Sequence, residues 1–340
     1  MPSPVFRTRA YVAVVVFALA GLFLMCRQPK WQRAEGLVWT TEYHISYAGP
    51  AALRDSIDPV LQLVDASASV YNPKSLISAI NSNTSSVIDP ILTLLLNTSK
   101  QVHRATGGAF DPTVMPLVNA WGFGYTRGTP PTDAQIDSIL QFVGLDKVSI
   151  SNGHAVKTDP RVQLDFSSIA KGLACDEVGA MLRRGGAKNY LVEIGGEVVT
   201  AGVNEQGRPW HVSVDLPSDQ ADTVVHNSAV VLRMPAEPRG VATSGNYRKY
   251  IESGGTRRSH IINPRTGRSA ESDLLSVTVV APSCMLADAW ATALMVLGTE
   301  STRRMTENND TLGVLTISAS PEGQLIVWSN AAFARLVEPQ

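Results

Sequence analysis

The chain has 340 residues, 44% hydrophobic and 17% charged, which suffices for a substantial core and fits neither a disordered chain nor a coiled coil. Lys plus Arg number 29 against 30 Asp plus Glu, a net charge of -1 without a basic run, so there is no electrostatic footprint for nucleic acid. The three cysteines, Cys26, Cys175 and Cys284, show no Cys-x-x-Cys spacing, which excludes a cysteine metal site; Cys175 and Cys284 read as two buried free thiols, with one disulfide between them as the alternative.

Arg7 and Arg9 precede an apolar run, Ala10–Met25, the pattern of an export signal or short signal anchor over residues 1–27. Cys26 stands where a bacterial lipoprotein carries its lipidated cysteine, although Met25 replaces the small residue such signals place before it. Either outcome tethers the chain to a membrane and puts the remainder on the extracytoplasmic, periplasmic side. Residues 28–35 read as a tether, and 36–335 as one domain. Residues 36–48 alternate as a single strand with Leu37, Trp39, Thr41, Tyr43, Ile45 and Tyr47 on one face. Helical spacing follows over 50–68, 75–81 and 90–106, the last stopped by Gly107-Gly108. Residues 108–124 read as a loop rich in Gly, Pro and aromatics, 132–143 as a helix, and 148–157 as a hairpin turning at Asn152-Gly153. A helix over 167–184 precedes strands at 189–194, 197–202, 210–214, 230–234, 240–243 and 247–251. A strand at 274–281, a helix over 285–297 ending at Gly298, and strands at 312–317 and 325–328 complete the chain. Short turns between many strands make this an α+β fold of mainly antiparallel sheets with packed helices.

Four segments could carry chemistry. Asp288 and Thr292 are one turn apart on an apolar helix, so a carboxylate and a hydroxyl share a face, hard oxygens of the kind Mg²⁺ takes. The same pair would also serve as a cap and a backbone-bonded threonine. His260-Ile-Ile-Asn-Pro-Arg-Thr-Gly267 fixes an imidazole beside a rigid turn, as a general base or a structural histidine. Asp165-Phe-Ser-Ser-Ile-Ala-Lys171-Gly172 turns into a helix whose N-terminus and lysine could seat a phosphate, or merely cap. The glycines and aromatics of 107–124, with Gly195-Gly196-Glu197 and Thr243-Ser244-Gly245, are tight turns that would line a ligand if a pocket lies near.

In order and co-occurrence these segments resemble the ApbE family of FAD:protein FMN transferases, also described as flavin-trafficking lipoproteins. The resemblance runs from about Gly36 to Gly298 on Ser69-Val-Tyr71-Asn-Pro, Gly108-Ala-Phe-Asp-Pro-Thr113, Asp165–Gly172, Glu193-Ile-Gly-Gly-Glu197, Thr243-Ser-Gly245, His260–Gly267 and Cys284–Leu294. It implies a T-fold-like α+β architecture and an enzyme that takes FAD as donor. A threonine hydroxyl of an exported acceptor flavoprotein attacks the phosphorus on the FMN side, and AMP leaves. It further implies Mg²⁺ held by Asp288, Thr292 and the carbonyl of Ser168, and FAD contacts from Tyr71, Ala109, Phe110, Asp111, Asp165, Lys171 and Ile261. His260 is the implied aid to deprotonation. Two departures stand out: Trp39-Thr40-Thr41 replaces the common Met-Gly-Thr, putting Trp39 against the adenine or flavin, and Asn263-Pro264 replaces Asp-Pro. An FAD-holding protein and a Mg²⁺-dependent FAD pyrophosphatase are the rival readings.

Overall fold

The computed structural model describes residues 30–124, 130–217, 228–246, 250–253, 256–270, 272–320 and 322–339. The expected signal anchor over 1–27, including Cys26, lies outside the described residues. Among the described residues no helix is long and apolar enough to cross a membrane.

The chain begins with β1 (Trp31–Val38) and β2 (Thr41–Ala48), then α1 (Ile57–Ala68), α2 (Leu76–Asn81), α3 (Pro90–Ala105), α4 (Met115–Ala120) and α5 (Asp133–Leu140). Next come β3 (Val148–Ser151), β4 (His154–Lys157), α6 (Ala170–Arg184), β5 (Tyr190–Ile194), β6 (Glu197–Ala201), β7 (His211–Asp215), β8 (Ser228–Arg233) and β9 (Arg239–Gly245). The last are β10 (Tyr250–Ser253), β11 (Thr256–Ser259), β12 (Leu274–Ala281), α7 (Cys284–Thr306), β13 (Gly313–Ala319), β14 (Leu325–Ser329) and α8 (Ala331–Ala334). Eight strands form one sheet in the order β1-β2-β5-β6-β9-β12-β13-β14. Every neighbouring pair is antiparallel. This is the α+β architecture expected from the alternation of short strands and turns.

Alternation along the central strands divides the core in two. Ala242, Val277 and Val279 face α7 and the cluster beneath α3, whereas Val198, Val241 and Val280 face the β7–β8 hairpin and Phe333. The helices α6 and α7 cross on the first face. Their approach is set by backbone rather than side chains: a Cβ on Gly172 would lie 2.5 Å from the Cys284 carbonyl oxygen, and one on Gly240 would lie 2.1 Å from the Cys284 nitrogen. Glycine alone lets the first turn of α7 sit down on α6 and β9. At the other end of the molecule Asn330, buried, donates to the Thr306 and Leu312 carbonyls and accepts from the Val314 and Phe333 amides, tying α7, β13 and α8 together.

Three expectations need correction. Residues 31–35 are not a tether; they pair with β2 from Trp31↔Ala48 onward. Residues 36–48 are not one strand. Trp39 and Thr40 form a two-residue turn at φ 49° and 64°, and such a turn reverses parity, so Leu37 pairs with Glu42 and is left 78% exposed while Tyr43, Ile45 and Tyr47 are buried. Gly298 breaks α7 at φ 76°, but the helix resumes beyond it to Thr306 instead of ending there. The expected loop over 108–124 also contains α4. Of the strand expected over 247–251, residues 247–249 lie outside the described residues.

Candidate functional site

The antiparallel register brings several connections to one end of the sheet. These are the Trp39-Thr40 turn, the β5–β6 turn at Gly195 and Gly196, and the β9 terminus at Ser244-Gly245. Gly195 and Gly196 take φ 62° and 98°, which permits the tight reversal that places Glu197 at the head of β6.

Onto this end α6 and α7 deliver their polar residues. Asp176 accepts the Cys284 and Met285 amides at 2.9 and 2.8 Å, satisfying two donors of the α7 N-terminus. One turn along, Asp288 Oδ2 accepts the Gly172 amide at 3.2 Å. Another turn along α7 stands Thr292, on the same face as Asp288, while Ser168 lies in the turn just before α6. Thr292 Oγ1 lies 3.2 Å from Ser244 Oγ of β9. The Cys175 thiol donates to the Glu197 carbonyl at 3.2 Å, and both Cys175 and Cys284 are buried and unlinked.

Lys171 forms an ion pair with Glu197 in this crossing. Glu197 is 4% exposed and Asp288 5%. Burial, reinforced by Asp288, pushes the Glu197 carboxyl up to about 7 despite Lys171. Burial likewise raises Asp288, opposed by Lys171 and the Gly172 amide. Burial works against the Lys171 ammonium, but Glu197 and Asp288 outweigh it and hold its pKa above that of free lysine. Two buried carboxylates with one lysine leave a site that welcomes further positive charge. Among the described residues no three His, Cys, Asp or Glu side chains form a metal cluster. The donor set on offer is the Asp288 carboxylate and the Thr292 hydroxyl with Ser244 beside it, hard oxygens that fit Mg²⁺ completed by phosphate and water.

The motif Ala109-Phe110-Asp111 turns its side chains inward. The side chains of Ala109 and Phe110 are buried in the core, and Asp111 is consumed by the fold. Its Oδ1 accepts the Thr113 amide and hydroxyl at 2.8 and 2.6 Å, and its Oδ2 accepts the Leu145 amide at 2.9 Å with His103 Nδ1 at 3.6 Å. A ligand contact from this segment would therefore run through its backbone, brought round by Gly107 and Gly108 at φ 59° and 89°. Asp165 caps its own turn through the Ser167 amide and hydroxyl, at 2.8 and 2.5 Å, and burial raises its pKa. Its amide donates to the Pro112 carbonyl at 2.7 Å, which joins this turn to the Asp111 segment.

The remaining residues sit on surface connections. Tyr71 is 66% exposed. Trp39 packs on the cluster beneath α1 and donates its indole N–H to Asp65 at 2.9 Å. His260 follows β11 with its ring edge-on to Phe123, centroids 6.4 Å apart. Its neighbour Ile261 is buried in the core that contains Met285 and Trp290 of α7. The turn after it is fixed by the Trp121 indole, which donates to the Gly267 carbonyl at 2.8 Å, and by Arg268 paired with Asp133 at 2.6 Å. Glu197 and Asp176 were not singled out as site residues in the sequence. The signal for Glu197 was a carboxylate placed directly after a Gly-Gly turn, and Asp176 gave none.

The family model described as "ApbE family" matches residues 39–316. The chain belongs to the ApbE family. A curated FAD:protein FMN transferase of Vibrio cholerae is 38% identical over 321 residues, covering 90% of this chain and 94% of that protein. One of Haemophilus influenzae is 33% identical, covering 96% and 97%. The solved flavin transferase ApbE from Vibrio cholerae superposes with a TM-score of 0.80 at 33% identity, over 90% of this chain and 99% of that one. The apo flavinyl transferase ApbE of Pseudomonas stutzeri gives 0.81 at 31% identity, over 92% and 98%. ApbE-family membership thus covers every element that brings residues to the sheet end described above.

Proposed function

We propose that this chain transfers FMN from FAD to a protein acceptor. The observation that carries the chemical part of the reading is the cluster at the α6–α7 crossing in which half-buried Lys171 meets the buried carboxyls of Glu197 and Asp288. A dinucleotide's diphosphate is a dense anion, and moving it out of water needs fixed positive charge in a dry, preorganised site. Lys171, held by Glu197, supplies part of that charge. Asp288, Thr292 and the Ser168 carbonyl would hold Mg²⁺, which when bound neutralises the diphosphate and the departing AMP. Half-buried Trp39 and exposed Tyr71 would offer ring faces to the flavin or adenine. Asp165, Ile261 and the backbone of Ala109-Phe110-Asp111 would complete the FAD contacts.

In the proposed reaction a threonine hydroxyl of the acceptor attacks the phosphorus nearest the flavin. The P–O bond to the AMP phosphate breaks, AMP departs with the electron pair, and a phosphoester joins FMN to the protein. His260 takes the hydroxyl proton, since it stands on a pinned loop and an imidazole titrates near neutrality. We further propose that the apolar run 10–25 with its basic flank anchors the chain in a membrane, with the domain on the periplasmic side.

The test incubates the full chain with FAD, Mg²⁺ and a threonine-bearing acceptor domain and reads the acceptor's intact mass, with EDTA and Asp288→Ala controls. A gain of one FMN, lost in both controls, supports the transferase and the metal site. AMP release without an adduct points to hydrolysis. FAD retention with neither product overturns the enzyme reading.

A further inference from the structure

Asp65, near the C-terminal end of α1, divides its carboxylate between two loops. Oδ1 accepts the Trp39 indole N–H at 2.9 Å, and Oδ2 accepts the Asn72 side-chain amide at 2.6 Å. Both Trp39 and its neighbour Thr40 have positive φ, 49° and 64°, without a glycine in the turn. Such a turn is uncommon for non-glycine residues and gains from a constraint outside its own backbone. Asn72 is the hub of the second loop. Its Oδ1 accepts the Lys74 amide at 3.0 Å, and its carbonyl accepts the Ser75 amide and the Ser78 hydroxyl at 3.0 and 2.8 Å. Tyr71, immediately before it, stands 66% exposed.

One carboxylate therefore sets the indole of Trp39 and the loop that presents Tyr71 against the same point. The bond to Trp39 depends on an indole N–H; a methionine in that position has no donor to offer a carboxylate. Side chains held before binding lose less freedom when a ligand arrives, which lowers the cost of association.

We propose that Asp65 is a positioning residue of this site: it fixes Trp39 and Tyr71 relative to one another, so that their rings form one wall for a planar ring of the bound dinucleotide. This rests on the reading that FAD binds against Trp39 and Tyr71. Asp65 itself touches no ligand and acts only through the two loops.

The experiment uses the full chain and measures the FAD dissociation constant calorimetrically, together with kcat and KM for transfer. Trp39→Ala and Tyr71→Ala, which remove the ring faces, test the underlying reading and are expected to weaken FAD binding about tenfold each. Asp65→Ala is expected to weaken binding about fivefold and raise KM in parallel, with kcat held within about twofold. In a Trp39→Phe background, where the ring stays but the N–H is gone, the cost of Asp65→Ala should shrink by about half on a logarithmic scale. Unchanged FAD affinity in both ring variants overturns the reading and the proposal together. Weakened affinity in the ring variants with no change in Asp65→Ala overturns the proposal alone. So does an Asp65→Ala effect that is fully additive with Trp39→Phe, or a fall in kcat and Tm at constant KM, which would mark a merely structural carboxylate.

Discussion

The α6–α7 crossing and the outer loops hold their functional residues by opposite means. At the crossing, Glu197 and Asp288 are buried and Lys171 is half-buried, and α7 meets α6 and β9 backbone to backbone through Gly172 and Gly240. At the periphery, Trp39, Tyr71 and His260 sit on connections, each fixed by a few directed contacts such as Trp39–Asp65 and Trp121–Gly267. Charge stabilisation gains from a low dielectric and rigid dipoles, so it belongs where water is excluded. Ring stacking and proton removal must reach ligands that come and go, so they belong on exposed loops held by tethers.

That contrast yields graded expectations. Asp288→Asn keeps the size of the side chain but removes its charge, and transfer should fall about 1,000-fold with near-UV circular dichroism unchanged, the scale of losing one preorganised electrostatic contact. A rise in KM alone, with kcat unchanged, would move Asp288 out of the charged centre.

Asp176 tests the crossing through pH. Burial pushes its carboxyl from the ordinary aspartate value of about 4 up to about 6, against the two amides it accepts. A raised acid means the folded state binds more protons than the unfolded one between those values. Its contribution is therefore fully present below about pH 4 and is lost as pH rises to about 6. The stability of the wild-type chain relative to Asp176→Asn should fall across that window by up to about 3 kcal/mol, read from denaturant midpoints at each pH. A flat difference would show that the helix-end amides, not desolvation, dominate this carboxylate.

Gly172→Ala should cost about 2 kcal/mol, because the new methyl meets backbone that only a helix shift can relieve, and it should lower Tm and activity together. Trp121→Phe acts at the periphery. Removing one buried indole donor should cost about 1 kcal/mol and reduce kcat a few-fold, while FAD affinity holds. A large loss of FAD affinity instead would show that the His260 loop and the ring wall are one unit.

The sequence made the crossing partly legible. Asp288 and Thr292 were visible because helical spacing alone puts them on one face, and the apolar run of β12 was visible with its bounds, Leu274–Ala281. Glu197 was hidden, since its partners Lys171 and Asp288 come from other elements and its burial is a property of the packed sheet. Phe110 and Asp111 were legible as a motif but not in their placement: the same residues that mark the family spend their side chains on the core and on Thr113, Leu145 and His103. Trp31–Glu35 did not read as a strand because Ala34 is the one residue of the five that is buried. The Trp39-Thr40 turn carries neither Gly nor Asn, so nothing in its composition announced a reversal.

The direction of β1 has a consequence for reach. The strand starts at Trp31 opposite Ala48 and runs eight residues to the turn at Trp39, so its beginning lies at the far end of the sheet from Lys171 and Asp288. Eight residues of strand span about 26 Å. A leash attached ahead of Lys30 would pull on the blunt end of the domain and leave the ring-bearing end pointing away from whatever holds the leash. An acceptor could then be met head-on, and lengthening the leash would widen the shell of acceptors within range without altering how the site faces them.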